Sequence, residues 1–343
     1  MDTLTRTEAA AANDSGDQLE RVERCPVCQC SERKLLHDGL RDWVFRAVGG
    51  DWTLWRCTEC SSAYLDPRLK PTAIGAAYAN YYTHDETAEP MPASWPHRLR
   101  IALANRYRNA RYHSHHKPAL PPGALLGRLL PRLRRMSDYR FRFLPAGRPG
   151  RLLDIGCGGG QWLGEARRAG WSVCGADPDP VAVQRALKLG FNVRLGSVES
   201  WQDEVGRFDV VTLSHVVEHV HDPRAMLAAA ARLLRPGGQL FVDTPNVDAP
   251  SHQLFGRAWC GLEAPRHLVL FNSASLVALL RELGFERITE RLIPSPAAFL
   301  VRESELIAER AGVARAAQRP ERTRRSAARE YVTLTCRAPL QVA

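Results

Sequence analysis

No stretch of this 343-residue chain holds the roughly 18 consecutive apolar residues that a membrane span needs. The opening residues, Met1 to Gln18, are polar and alanine-rich and lack the apolar middle of a secretory signal, so a disordered leader over residues 1–20 is expected. Acid is scarce in one region. Between His97 and Pro145 twelve Arg and Lys face a single acid, Asp138, enough to account for the whole net charge of +10. Such a stretch suits solvated helix faces, an anionic substrate, a lipid surface or RNA. A dinucleotide fingerprint is also missing: from Gly156 the sixth place of G-x-G-x-x-G is Gln161. Cysteine, by contrast, is plentiful. Nine of them, with two C-x-x-C pairs, suit a reducing compartment and a metal better than disulfides, with the cytoplasm as the address.

The two pairs are Cys25/Cys28 and Cys57/Cys60. Thiolates two residues apart on a tight turn reach one Zn²⁺ at ~2.3 Å, and two such turns complete a closed, structural tetrahedron. A zinc-ribbon-like module is therefore expected over residues 21–70, with Cys30 and His37 as bystanders. Residues 71–147 read as a helical, basic linker or lid, with helices over Trp95–His116 and Leu125–Phe143. Their apolar faces (Leu99, Leu103, Tyr107; Leu129, Leu130, Leu133) would cover a site mouth or contact lipid. From residue 148 to 343 strands and helices alternate, which predicts a doubly wound, mostly parallel sheet. Residues 294–325 read as a helical insertion, and Glu330–Arg337 as an edge strand that closes the sheet.

The centre of that alternation is Leu152-Leu-Asp-Ile-Gly-Cys-Gly-Gly-Gly160, a strand that runs into a turn almost free of side chains and then a helix. Such a turn lets backbone N–H groups approach a ligand beside a helix N-terminus. Asp154 ahead of it suits a ligand with positive charge, such as an amino acid's ammonium. Downstream come Gly175-Ala-Asp-Pro178, Phe208-Asp-Val-Val211, Glu218-His-Val220 and Leu234-Arg-Pro-Gly-Gly-Gln-Leu240. In order and spacing these motifs resemble class I S-adenosylmethionine (SAM) dependent methyltransferases over roughly residues 150–293. The front of the chain resembles a bacterial subgroup that joins a zinc ribbon to this domain, acting on small molecules or glycans. The resemblance implies a Rossmann-like α/β sheet with an antiparallel last strand, and SAM as cofactor. It implies that Asp154, Gly156 and Gly158 hold the methionine part, with Cys157 and Gly160 beside them. Asp177, followed by Pro178, would hold the ribose, Ser197 and Val198 the adenine, and Ser214 would line the cleft.

Methyl transfer from a sulfonium is an in-line displacement, and a base helps when the acceptor is a hydroxyl or carbon acid. His215 and His219 follow the fourth strand, at the sheet edge where ligands bind in such folds. His267 precedes a helix and would close over the site. These three are the candidate catalytic residues. His215-Val-Val-Glu-His219 also spells the zinc-protease pattern H-x-x-E-H, but it straddles a strand end rather than lying on a helix. The polyprenyl-dihydroxybenzoate O-methyltransferases carry E-x-x-E-H here and bind a divalent cation. This chain keeps Glu218 and His219 and has His215 in place of the first Glu, so a second cation there would have an altered ligand set. No N/D-P-P-Y/F follows the fourth strand, which argues against methylation of exocyclic base amines. The expected activity is methyl transfer to an O or C nucleophile of a small molecule or a glycan- or lipid-linked precursor. An RNA methyltransferase gripping phosphates with the ribbon and basic helices, and a non-catalytic SAM-binding protein, are the alternatives.

Overall fold

The computed structural model describes residues 18–78, 94–293, 297–313 and 329–340. Leu19–Glu20 (β1), Arg33–Leu40 (β2), Trp52–Cys57 (β3), Ala63–Leu65 (β4) and Arg68–Leu69 (β5) build the N-terminal part. β1 pairs antiparallel with β5, so residues 19 and 20, expected in the leader, belong to the ribbon. A short 3₁₀ turn, Ile74–Tyr78, follows. The sequence reads as a short helix over Thr72–Tyr82 and a Pro-rich linker over His84–Pro96, of which residues 79–93 lie outside the described residues.

The basic region forms Trp95–Tyr112 (α1), Gly123–Leu129 (α2) and Pro131–Arg140 (α3). The single helix expected over 125–143 is thus two. Proline lacks an N–H and disfavours helical backbone before it, so Leu130 turns extended (φ −102°, ψ 98°) and Pro131 starts a new helix. A Cβ on Gly127 would lie 2.2 Å from the Tyr107 ring, so only glycine lets α2 lie this close to α1.

Then come Arg151–Ile155 (β6), Gln161–Arg168 (α4), Ser172–Asp177 (β7), Pro180–Lys188 (α5), Asn192–Leu195 (β8) and Phe208–Ser214 (β9). Pro223–Leu233 (α6), Leu234–Pro245 (β10), Pro250–Phe255 (α7), Val269–Leu270 (β11), Ser273–Glu282 (α8) and Glu286–Glu290 (β12) continue the chain. Ala297–Ala311 (α9) and Tyr331–Arg337 (β13) end it; α9 is the described part of the expected insertion. The seven-stranded sheet has the order β12-β13-β10-β9-β6-β7-β8. β10, β9, β6, β7 and β8 are parallel, whereas β13 runs antiparallel to both β10 and β12. The Rossmann-like sheet with an antiparallel last strand is as expected. The adjacent Leu152 and Leu153 of β6 are both fully buried, one in each of two apolar clusters, because both faces of the strand are covered.

The ribbon does not stand apart. Its sheet has the order β11-β4-β3-β2, and β11 comes from the large domain, with Val269 opposite Tyr64. Leu54, Tyr64 and Leu65 of the ribbon share one apolar core with Leu213, Leu240 and Leu334 of the large sheet.

Candidate active site

The carboxyl edge of β6, β7, β9 and β10 carries the expected residues, and side chains from remote segments join them. Gly156 (φ 72°) turns the chain out of β6, and a Cβ there would come within 2.6 Å of Val216. A side chain is excluded by both the conformation and the space. Asp177 at the end of β7 accepts hydrogen bonds from the backbone N–H of Gly158 (2.8 Å) and Asp179 (3.0 Å). Two carboxylate oxygens have about four acceptor positions, so room is left for ribose hydroxyls. Burial raises the Asp177 pKa against those hydrogen bonds. Val198 is buried in the 3₁₀ turn after β8, Ser197 is half-buried beside it, and Ser214 ends β9 opposite Asp243. Cys157 is buried and Gly160 caps α4, while Pro178 is exposed.

Asp154 is 1% exposed and does not stand alone. Arg142, just past α3, pairs with its Oδ1, and Thr212 donates to the same oxygen at 2.7 Å. The guanidinium of Arg142 lies 3.8 Å from the Trp162 ring centroid, which holds it over the glycine turn. Oδ2 of Asp154 is buried without a partner, the position an incoming ammonium would fill. Burial raises the Asp154 pKa, with Arg142 opposing. Nothing in the sequence spacing marked Arg142; it was one of twelve basic residues in that stretch.

The three histidines do come together. His215 leaves β9 in the left-handed region (φ 55°), a conformation that costs a non-glycine residue roughly 1–2 kcal/mol and aims the ring along the sheet edge. Its Nδ1 lies 3.2 Å from Glu218 and its Nε2 3.6 Å from Asp243. Burial opposes its charge, but the Glu218 hydrogen bond and the Asp243 carboxylate outweigh that and hold the pKa up to about 9. His215 is therefore a cation at neutral pH rather than a base. Asp243 also accepts from Tyr139 (2.7 Å) and Thr333 (2.5 Å). Burial tends to raise the Glu218 carboxyl, but the hydrogen bond from His215 and the imidazoles of His219, His215 and His267, all charged in the acid range where it titrates, bring it down to about 2.

His219 and His267 are neutral, both pushed down to about 4, first by burial. His267 is 4% exposed and does not hang over the site as a mobile cover; its Nδ1 is 2.8 Å from the Gly261 carbonyl, which fixes the proton there. His219 Nδ1 faces the Arg266 carbonyl (3.2 Å) and the Tyr78 hydroxyl (3.0 Å). A carbonyl only accepts, so Nδ1 carries the proton and Nε2 keeps its lone pair. Ligand atoms of Glu218, His219 and His267 lie within 4.8 Å of one another, and Oε2 of Glu218 is buried without a partner. One carboxylate oxygen and two neutral imidazoles fit a divalent cation.

A cavity of about 480 Å³ opens over His215, His219 and His267. Trp43 and Val44 from the ribbon form one wall, Leu300 and Ile307 of α9 another. No residue of α1–α3 lines it, so the basic helices do not cover this mouth. Tyr139 of α3 and Arg142 just past it reach the edge, at Asp243 and Asp154. The ribbon is tied in by Arg266, which is fully buried and forks onto Asp42 at 2.7 and 3.1 Å. Arg266 also reaches the Ala77 carbonyl (3.0 Å) and Glu263 (3.1 Å).

At the ribbon's tip the Cys25, Cys28, Cys57 and Cys60 sulfurs lie within 4.8 Å of one another. The Cys25–Cys60 and Cys28–Cys57 separations are 3.6 and 3.5 Å. A tetrahedral Zn–thiolate centre has an edge of about 3.8 Å, so the four thiols fit one. Each knuckle closes on a left-handed residue, Gln29 and Ser61. Cys30 and His37 stay outside: Cys30 meets Glu32, and His37 Nε2 is 2.8 Å from His252 Nε2.

A family model described as a methyltransferase domain matches residues 128–290. The chain is 40% identical over 168 residues to a ubiquinone biosynthesis O-methyltransferase of Xanthomonas axonopodis pv. citri, covering 44% of this chain and 68% of that protein. A protein of the same description from Cronobacter sakazakii is 40% identical over 108 residues, 29% of this chain and 44% of that one. The chain spans about half the length of the curated relatives it matches. Among solved structures it is similar to a SAM dependent methyltransferase from Archaeoglobus fulgidus, with a TM-score of 0.42 and 18% identity over 60% of this chain and 93% of that chain.

Proposed function

Because the chain belongs to the class I SAM-dependent methyltransferases, we propose that it moves the SAM methyl group to an oxygen of a small molecule bound over His215, His219 and His267. The observation that carries this reading is the histidine-lined cavity of about 480 Å³ at the carboxyl edge. SAM would lie across that edge, its ammonium at Oδ2 of Asp154, its ribose on Asp177 and its adenine against Ser197 and Val198. Gly156, Cys157, Gly158, Gly160, Pro178 and Ser214 would line its path. The acceptor oxygen attacks the methyl carbon, the sulfur–carbon bond breaks, and its electron pair stays on sulfur as the neutral thioether. The acceptor's proton goes to Nε2 of His219, and the resulting imidazolium is stabilised by Glu218 and Glu263.

A divalent cation at Glu218, His219 and His267 would take that same Nε2 as a ligand, so when bound it would polarise the acceptor oxygen and acidify its proton in place of His219 acting as the base. Two imidazoles with one carboxylate suit a transition metal better than Mg²⁺. Zn²⁺ bound by Cys25, Cys28, Cys57 and Cys60 would be structural, since four thiolates leave no open position. The ribbon then serves as a wall of the acceptor cavity, and the absence of α1–α3 from that cavity argues against an RNA backbone entering it.

The test is transfer of tritiated methyl from SAM to a panel of phenols and catechols. His219→Ala is expected to lower turnover by roughly 10²–10⁴ with S-adenosylhomocysteine affinity unchanged by calorimetry. Wild-type turnover in that variant would remove His219 from the chemistry.

A further inference from the structure

A second cavity lies between α1–α3 and the segment that follows β12. It measures about 620 Å³ and shares no lining residue with the acceptor cavity. Five guanidiniums line it: Arg111 from α1, Arg128 from α2, Arg134 and Arg135 from α3, and Arg291. Only two carboxylates accompany them, Asp138 and Glu290. Asp138 is engaged by neutral donors, since the hydroxyls of Tyr107 (3.1 Å) and Tyr112 (2.7 Å) both bond its Oδ1. Among the described residues, none of the five arginines has a carboxylate within ion-pair distance.

Gathering like charges around one hollow is unfavourable unless something neutralises them. Two are held in place. Arg291 donates from Nε to Thr335 Oγ1 at 3.0 Å and lies 5.2 Å from the Phe143 ring centroid; Arg111 lies 5.5 Å from that of Tyr112. Guanidinium forks match phosphate oxygens two at a time. The volume exceeds that of a bare phosphate, and Tyr107, Phe143 and Leu292 supply an apolar wall for what the phosphate carries.

We propose that this cavity binds a phosphate- or diphosphate-bearing ligand, gripped by Arg111, Arg128, Arg134, Arg135 and Arg291 and separate from the methyl-transfer site. The anion comes from a soluble diphosphate or from a lipid headgroup; Leu129 and Leu130, 65% and 49% exposed between Arg128 and Arg134, would enter the acyl boundary in the second case. Two probes separate the sources: inorganic pyrophosphate by calorimetry, and flotation with phosphatidylcholine vesicles with and without phosphatidylglycerol. The full chain is compared with Arg134→Ala/Arg135→Ala and with Arg128→Ala. All three side chains are exposed, so the fold should survive, and unchanged S-adenosylhomocysteine affinity confirms it.

Each arginine lost is expected to weaken binding about tenfold or more, and rising salt to weaken it further. Pyrophosphate binding lost in the variants establishes the site with a soluble ligand. Vesicle binding that needs phosphatidylglycerol and the same arginines establishes it with a lipid headgroup. A wild-type chain that binds neither probe, or binding that both variants leave unchanged, overturns the proposal without touching the methyltransferase reading.

Discussion

Removing the Asp42 carboxylate should damage the acceptor site from the ribbon side. Asp42 is 1% exposed and holds the fully buried Arg266 through two hydrogen bonds of 2.7 and 3.1 Å. It also accepts backbone N–H bonds from Phe45 (3.1 Å) and Ala47 (2.8 Å), which fold the Trp43–Val44 wall. Arg266 in turn presents the carbonyl that orients His219. Asp42→Ala leaves a buried guanidinium without its main counter-charge, at a cost of about 3–5 kcal/mol. That is a large share of the roughly 5–15 kcal/mol of a typical domain. Asp42→Asn keeps one of the two acceptor oxygens, and with it either the Phe45 or the Ala47 contact, so it should cost less. Urea midpoints give the stability, and hydrogen exchange over residues 259–268 reports the loop; exchange there should accelerate. In the double variant Asp42→Leu/Arg266→Met neither member of this pair is left without the other, and the cycle should show a coupling of at least about 1.5 kcal/mol. An Asp42→Ala chain within about 1 kcal/mol of wild type, with unchanged loop exchange, would refute the argument.

Arg142→Met should leave the Asp154 carboxylate buried and unpaired. We expect weaker S-adenosylhomocysteine binding by at least tenfold in calorimetry; unchanged affinity would mean that Arg142 has no part in the cofactor site. His215 should stabilise the fold in a pH-dependent way. Its folded pKa of about 9 exceeds the ordinary 6.5, so its contribution is full below pH about 6.5 and disappears as pH rises through 9. With the ring 41% exposed, solvent screening reduces this to about 1–2 kcal/mol. The melting-temperature gap between wild type and His215→Gln should close between pH 7 and pH 10, and a constant gap would contradict the ion-pair account. Cys28→Ser, which breaks the proposed Zn²⁺ site of the ribbon, should lower both metal content and acceptor turnover, because Trp43 and Val44 lose their support. Metal loss with full turnover would detach the ribbon from the site.

The parts legible in the sequence are local ones. The glycine turn, Asp154, Asp177 and the two knuckles each need only neighbours within a few residues, so spacing reveals them. Pro131 was a legible helix start as well, overridden by the apolar periodicity on either side of it. The illegible parts depend on side chains that arrive from far along the chain. Arg142 meets Asp154 and Thr212 across the sheet edge, and Asp42 meets Arg266 over more than two hundred residues. Strand β11 has two residues, too few to carry an alternation, yet it joins the ribbon sheet to the large domain. His267 read as a closing residue because it precedes a helix. Its burial follows from the Gly261 carbonyl and from β11 immediately after it, neither of which has a pattern in one dimension.

The charges at the carboxyl edge point to the kind of cofactor that belongs there. Asp154, Asp177, Glu218, Asp243 and Glu263 crowd that edge with little exposure to water, while Arg142, Arg266 and the protonated His215 are the cations that face them. Negative charge is left in excess, and four of the five carboxylates, Glu218 apart, have a pKa raised by their burial. A pyrophosphate in this cleft would meet repulsion from every strand end. A sulfonium with a free ammonium brings the missing positive charge, and after transfer the thioether product has lost one unit of it. The same field that draws the donor in therefore holds the spent product less tightly. A fold that gathers five arginines around a separate cavity and five carboxylates here would keep anions away from the cleft where the positive charge of SAM is proposed to lie.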